Sequence, residues 1–315
     1  MAEAVVEVRS AGPPTLDELG GSSRRRRREA IIRRSFFAAA FLAIVVNALI
    51  VITLLDGAVE FLSNVDLSRL WASGWFPRRN LFDLKTIITG TLLVAGVAMV
   101  VAAPLGLGAA MYLSEYASRR ARRFLKPILE ILAGIPSVVL GYFALTWISP
   151  NITQQFFGSS AFNLAAAGIA VGVLVTPLVA SVAEDSMFAV PHSLREASYG
   201  LGAKKRHTSV RVVFPAAISG IVAALILGLS RAIGETLIVA IAAGGTGGSQ
   251  FSVDIFAPGQ TMTAAMTALA TGSDQVRGAS EAFPSLFFVG ILLFVMTLGL
   301  NIVSERFVRR VRSRY

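Results

Sequence analysis

The residues best suited to chemistry are Arg231 and Glu235, in the run Ser230-Arg231-Ala232-Ile233-Gly234-Glu235-Thr236. They are the only charged residues between Val212 and Ala243. On a continuous helix, opposite charges four residues apart share one face. An arginine at the centre of a bilayer costs about 2.5–3.5 kcal/mol on insertion scales, so it normally faces a cavity and acts there. Its planar fork matches an oxyanion bidentately, and Glu235 would hold the fork in place or be displaced by the anion. The competing reading is a structural ion pair, or an arginine reaching out of the apolar layer. On a straight helix Arg231 lies roughly 25 Å from Phe214.

A second feature is Ala133-Gly134-Ile135-Pro136-Ser137. Gly and Pro together can break a membrane helix and turn backbone N–H groups toward an anion, although a packing kink explains them equally well. Ser137 and Thr236 therefore join Arg231 and Glu235 as candidate path residues. Thr176-Pro177 invites the same argument with less force.

The third feature is a polar segment between two apolar stretches. It reads Glu196-Ala197-Ser198, three residues, Gly202, nine residues, then Val212-x-Phe214-Pro215. Pro191 and Gly202 bracket a short helix carrying Arg195 and Glu196. Lys204, Lys205 and Arg206 open a second polar stretch, which Pro215 ends. Such a charged, glycine-punctuated helix-turn-helix in an apolar chain is suited to docking a soluble partner, whose movement it can convert into movement of the spans. The plainer reading is a loop whose basic residues only set topology.

The elements that must position these residues are membrane helices. Hydrophobic residues form 54% of the chain and charged ones 15%, with mean hydropathy +0.67. A water-soluble domain carries more charge than this. Charge-free windows at 35–55, 86–114, 131–183, 212–230 and 282–304 are each long enough for a span. Polar residues from Ser149-Pro150-Asn151 to Ser159-Ser160 divide the longest window in two. The expectation is an all-α polytopic membrane protein with six transmembrane helices near 36–55, 86–113, 130–148, 163–183, 213–242 and 283–304. The first apolar stretch is too long for a signal-peptide core and no small-residue cleavage site follows it, so it reads as a span.

Of the 29 Lys and Arg residues, 23 fall on one side of that scheme, ahead of the first span and after the second, fourth and sixth. The positive-inside rule then puts both termini and the 184–211 loop in the cytoplasm. The Arg24–Arg28 run reads as a topology signal touching anionic lipid rather than as a nucleic-acid site. Residues 1–30 read as a disordered arm and 31–315 as the membrane domain, with external loops 56–85, 149–162 and 244–282. A short helix is expected at 261–270 within the last loop, and Gly168-x-x-x-Gly172 is a candidate site of close helix packing.

Several chemistries are excluded. There is no cysteine, and His192 and His207 lie in one loop without a ligand cluster, so neither thiol chemistry nor a metal site is expected. No G-x-x-x-x-G-K-[ST], H-E-x-x-H or G-x-S-x-G occurs. The chain is thus not expected to be an enzyme or to hold a cofactor. ATP-driven transport would need hydrolysis on another subunit.

The 196–215 spacing resembles the coupling ("EAA") loop of ABC-importer permeases, which reads Glu-Ala-Ala, three residues, Gly, nine residues, Ile-x-Leu-Pro. Ser198 replaces the second Ala, and Val212 and Phe214 replace Ile and Leu, keeping size or apolarity. With Ile88–Leu92, Pro104-Leu105-Gly106, Leu113–Tyr116, Leu132–Val139, Glu184-Asp185, Arg195–Gly202 and Arg231–Thr236, the chain resembles the PstC-type permease of bacterial phosphate ABC importers. The resemblance runs from about 70 to 305 and leaves the arm and residues 244–282 poorly matched.

It implies the type I permease fold with a cytoplasmic coupling helix in a bacterial plasma membrane. It also implies a PstA-type permease partner, two PstB-type ATPases and an extracytoplasmic phosphate-binding protein. Arg195, Glu196, Ala197, Ser198, Gly202 and Pro215 become the coupling residues, and Arg231 and Glu235 lie on the phosphate path. Sulfate or molybdate permeases share the loop and the tetrahedral dianion chemistry. A secondary anion transporter would need no such loop.

Overall fold

The computed structural model describes residues 23–71, 74–244, 248–272 and 281–312. The chain divides between Thr53 and Leu54. In the first unit the described residues are the start of helix α1, Ser23–Asn64. Large apolar side chains there, among them Phe36, Phe41 and Ile44, are exposed, as a lipid-facing helix requires. Residues 1–22 of the expected arm lie outside the described residues, whereas 23–30 are helical. Arginine is a good helix former, so the basic run continues the helix that follows it.

Among the described residues, the second unit holds every other element. Beyond Asn64, a turn at Leu67–Trp71 leads to a hairpin of β1, Trp75–Phe76, and β2, Leu81–Phe82. Helices α2, Leu84–Met111, and α3, Arg119–Ala133, follow. Helix α4 starts at Ser137–Phe143 and winds on as a π-helix and a last α-turn to Phe157. Next come α5, Leu164–Phe188, α6, His192–Gly200, α7, Lys205–Thr208, and α8, Ile218–Ile233. The chain finishes with α9, Leu237–Ala242, α10, Met262–Ala270, and α11, Pro284–Arg312.

Among the described residues, four helices are long and apolar enough to cross a membrane, and six spans result if each of two bent pairs counts as one. The bent pairs correct the expected boundaries. The span expected at 130–148 is instead α3 followed by α4, bent by 85° across Gly134-Ile135-Pro136. Proline restricts the residue before it and cannot donate, so the helix stops at Ala133 and restarts at Ser137. The span expected at 213–242 is broken twice. It bends by 71° between the 205–216 segment and α8, and it breaks again at 234–236. The straight path from Phe214 to Arg231 therefore does not exist.

The turn expected at Ser149-Pro150-Asn151 is absent too. The helix absorbs Pro150 by widening to π winding and runs on to Phe157. Two of its polar residues, Ser149 and Thr153, are buried in a hydrogen-bond network. Asn163 Nδ2 donates to Ser149 Oγ at 3.2 Å and Thr153 Oγ1 at 3.0 Å, while Asn163 Oδ1 caps α5 by accepting from Ala166 N at 2.7 Å. The chain turns instead at Gly158, where φ is 63°.

Helix α5 is the centre of the unit. Its Gly168 and Gly172 lie against α2, where an added Cβ would come within 2.6 Å of Val97 and 2.8 Å of the Ala98 carbonyl oxygen. The small-xxx-small spacing thus serves close helix approach. Three apolar clusters follow the bundle. One, in mid-bundle, is built on Ala98, Val171, Val175 and Ile238. The second groups Phe61, Trp75, Phe82 and Met262. The third surrounds Met187, Val190, Val213 and Ile221 beside the coupling segment. Helix α10 confirms the short helix expected at 261–270, and Met262 N donates to Thr91 Oγ1 of α2 at 3.0 Å.

Candidate coupling site and transport path

The coupling segment is built from its anchors outward. Arg195 and Ser198 face inward, whereas Glu196, Ala197 and Gly202 are exposed. Arg195 Nη2 donates to Glu115 Oε1 and to the Met187 carbonyl, both at 2.8 Å, and Nη1 donates to the Val190 carbonyl. One guanidinium thereby binds a carbonyl in the last turn of α5 and one in the 189–191 connection, and ties α6 to the π-turn Tyr112–Tyr116 that ends α2. Ser198 Oγ and Thr208 Oγ1, 2.8 Å apart and buried, join α6 to α7.

Helix α6 ends in a Schellman turn. Ala203 N donates to the Ser198 carbonyl at 3.1 Å and Gly202 N to the Tyr199 carbonyl at 2.9 Å. The turn requires a left-handed residue, and Gly202 has φ 78° with open space where a Cβ would stand. The glycine is needed for its backbone conformation rather than for room. The turn pushes Leu201 out to 90% exposure, with Lys204, Lys205, Arg206 and His207 exposed beyond it. A concavity of about 650 Å³ is lined by Leu194, Ala197, Leu201, Lys204 and His207. An apolar knob with a basic rim fits a groove of opposite character. Pro215 sits in the turn Phe214–Ala216, at the bend into α8.

The expected path residues are not brought together as a pair. Helix α8 ends at Ile233, so Arg231 and Glu235 do not share a helical face. No ion pair joins them among the described residues. Arg231 is exposed on the last turn of α8, where its charge complements the open carbonyls. Glu235 is buried, and its Oε1 lies 3.5 Å from the N–H of Ile238 at the start of α9. Its own carbonyl accepts from Thr263 Oγ1 at 2.8 Å. A cavity of about 340 Å³ beside the break is lined by Gly234, Thr236, Thr263, Thr267 and Leu286. Ser137 is the first residue of α4, just after the other break. Helices α4 and α9 pack closely where Gly141 meets Ile238.

Reasoning from sequence missed four residues. Glu184 is fully buried and accepts from Arg122 and Lys126 of α3. Glu115 is the counter-charge of Arg195. The available signal was a carboxylate directly bordering a charge-free run, since such a group needs a partner.

Residues 102–313 match the family described as binding-protein-dependent transport system inner membrane component. The phosphate transport system permease protein PstC of Mesorhizobium japonicum is 29% identical over 285 residues, covering 84% of this chain and 85% of that protein. PstC 1 of Mycobacterium tuberculosis is 32% identical over 246 residues, covering 71% and 72%. Among solved structures, a chain of a bacterial ABC transporter involved in alginate import aligns with TM-score 0.60 at 15% identity, covering 90% of this chain and 99% of that one. A chain of the inward-facing MetNI methionine ABC transporter aligns with TM-score 0.51 at 21% identity, covering 70% and 91%. With these spans, this fold and a match across two thirds of its length, the chain belongs to the inner-membrane-component family of binding-protein-dependent transport systems.

Proposed function

We propose that this chain is the translocating permease subunit of an ATP-driven importer of inorganic phosphate. The observation that carries the reading is the presented α6–α7 unit. It is anchored from behind by Arg195 and Ser198, and it offers exposed Leu201 within a basic rim. An anchored, exposed unit of this kind supports reading it as the cytoplasmic face that meets an ATPase subunit. Phosphate as the cargo is supported by the names of relatives that cover most of the chain and by Arg231, a fixed cation in an apolar helix suited to a tetrahedral oxyanion.

In this reading a PstA-type permease completes the path, two PstB-type ATPases engage the coupling segment, and an extracytoplasmic binding protein delivers phosphate. Both termini are cytoplasmic, and the protein resides in a bacterial plasma membrane. Arg231 meets the anion. Glu235, Thr236 and Ser137 line its route at the two helix breaks, and Glu196, Ala197, Gly202 and Pro215 shape the ATPase contact.

The test is uptake of labelled phosphate into liposomes carrying the complex purified through a tag on this chain. Uptake should require internal ATP and the binding protein, and should persist under excess sulfate. Uptake without ATP, or abolished by sulfate, would overturn the reading.

A further inference from the structure

Glu184 takes no part in the function proposed above, yet it is fully buried near the end of α5 that leads into α6. Its Oε1 accepts from Arg122 and its Oε2 from Lys126 Nζ at 2.9 Å. Lys126 also reaches Asp185 Oδ1 at 3.1 Å, and the Arg122 guanidinium lies 4.0 Å from the centre of the Phe188 ring. Helix α3 itself has no buried residue, and Phe124 and Ile131 on it are exposed. A cavity of about 210 Å³, lined by Leu129, Ala133, Pro177 and Ser181, separates parts of α3 and α5. With Leu129 only half-buried beside that cavity, the two cations of α3 are its directed hold on α5. Buried ion pairs of this kind specify geometry more than they add stability.

The connections on either side give that geometry a use. Only residues 189–191 separate α5 from α6, and Arg195 of α6 bonds back to the carbonyls of Met187 and Val190. Beyond α3 stands the 134–136 break, with its 85° bend into α4. We propose that Glu184 is a positioning residue, the strut that carries displacement of α6 through the end of α5 to α3 and so turns α4 about the Gly134–Pro136 break. The pair stays closed through the cycle, because its carboxylate is enclosed and both oxygens are engaged. The proposal rests on the transport reading above.

The experiment uses the tagged complex in liposomes, scoring assembly, ATP hydrolysis and phosphate uptake together. Glu184→Gln should assemble normally and hydrolyse ATP within about twofold of wild type, while phosphate moved per ATP falls at least about tenfold. The chain has no cysteine, so Lys126→Cys/Glu184→Cys can be bridged by a short bis-methanethiosulfonate. Bridging should restore uptake, and reductant should remove it again. Labels at Ser193 and Tyr142, both exposed, read the α6–α4 distance without any substrate. A nucleotide-driven change in that distance should appear in wild type and vanish in Glu184→Gln.

Unchanged uptake per ATP in Glu184→Gln would overturn the strut. So would a bridge that blocks uptake, or a distance change that survives the substitution. Loss of assembly that bridging does not repair would show a merely structural pair. A wild-type complex whose labels move but which takes up no phosphate would count against the transport reading and leave the strut standing.

Discussion

Arg195 and Glu115 are 80 residues apart in sequence, yet their guanidinium and carboxylate lie 2.8 Å apart. The side chains are 11% and 3% exposed, so neither charge is answered by water. This pair, with the two carbonyls that Arg195 also holds, sets the coupling helix on the ends of α2 and α5.

Removing one partner should therefore be worse than removing both. Arg195→Ala leaves Glu115 enclosed and unpaired, at a cost of about 3–5 kcal/mol. Trypsin should then cut at Lys204–Arg206 in membranes where the wild-type segment resists. The Arg195→Gln/Glu115→Gln double variant should lose less than the sum of its single variants. Additive losses in thermal inactivation would show that the two residues act separately.

Gly202 separates backbone from charge. A left-handed φ costs a non-glycine residue about 1–2 kcal/mol, and less for Asn and Asp, which visit that region. Gly202→Asn and Gly202→Asp should both reach the membrane. The Asn variant should keep much of its uptake. The Asp variant, which adds a negative charge beside the basic rim, should lose it. Equal uptake in the two would mean that the rim's charge does not matter to the partner.

Arg231 is not bound to Glu235, which changes what its substitution should do. Arg231→Gln takes no partner from a buried carboxylate, so assembly should stay at the wild-type level while uptake falls at least about tenfold. Arg231→Lys should recover little, because a point charge lacks the fork. Glu235→Gln should be milder, since an amide oxygen can still accept from the Ile238 N–H. Uptake in the Arg231→Gln/Glu235→Gln double variant should not recover. Recovery there would make the two residues a structural pair after all.

Topology can be read by labelling in a chain free of cysteine. Ser160→Cys and Ser193→Cys place thiols at two exposed positions. A membrane-impermeant maleimide applied to intact cells should modify the first and not the second. The reverse pattern would invert the orientation.

The membrane class, the helix-turn-helix at 192–208 and the packing role of Gly168 and Gly172 were legible because each rests on local pattern: hydropathy, glycine spacing, a charged run between apolar windows. Gly134-Ile135-Pro136 was legible only as a break or a packing kink inside a span expected at 130–148, because local pattern does not set the 85° bend. Ser149, Pro150 and Thr153 misled because polar residues with a proline read as a turn. Only the distant Asn163 shows that they form a buried network. The i, i+4 rule failed at Arg231 and Glu235 because it assumes an unbroken helix, and the break lies between them. Glu184 and Glu115 were hidden because their partners, Arg122 and Arg195, are 62 and 80 residues away.

The glycine seam between α2 and α5 has a mechanical meaning. Where backbone meets side-chain stems with no room for a Cβ, there is no loose layer in which one helix can slip past the other. Interiors packed to that density pass on displacement instead of absorbing it. Helices α2 and α5 are thus a single beam, with Gly228 of α8 lodged against Val179 on the same beam. Articulation within the broken spans is left to the places where they are interrupted, at 134–136, at 217 and at 234–236. A protein built this way changes shape as a jointed lever does, by rotation at its joints rather than by sliding within the beam.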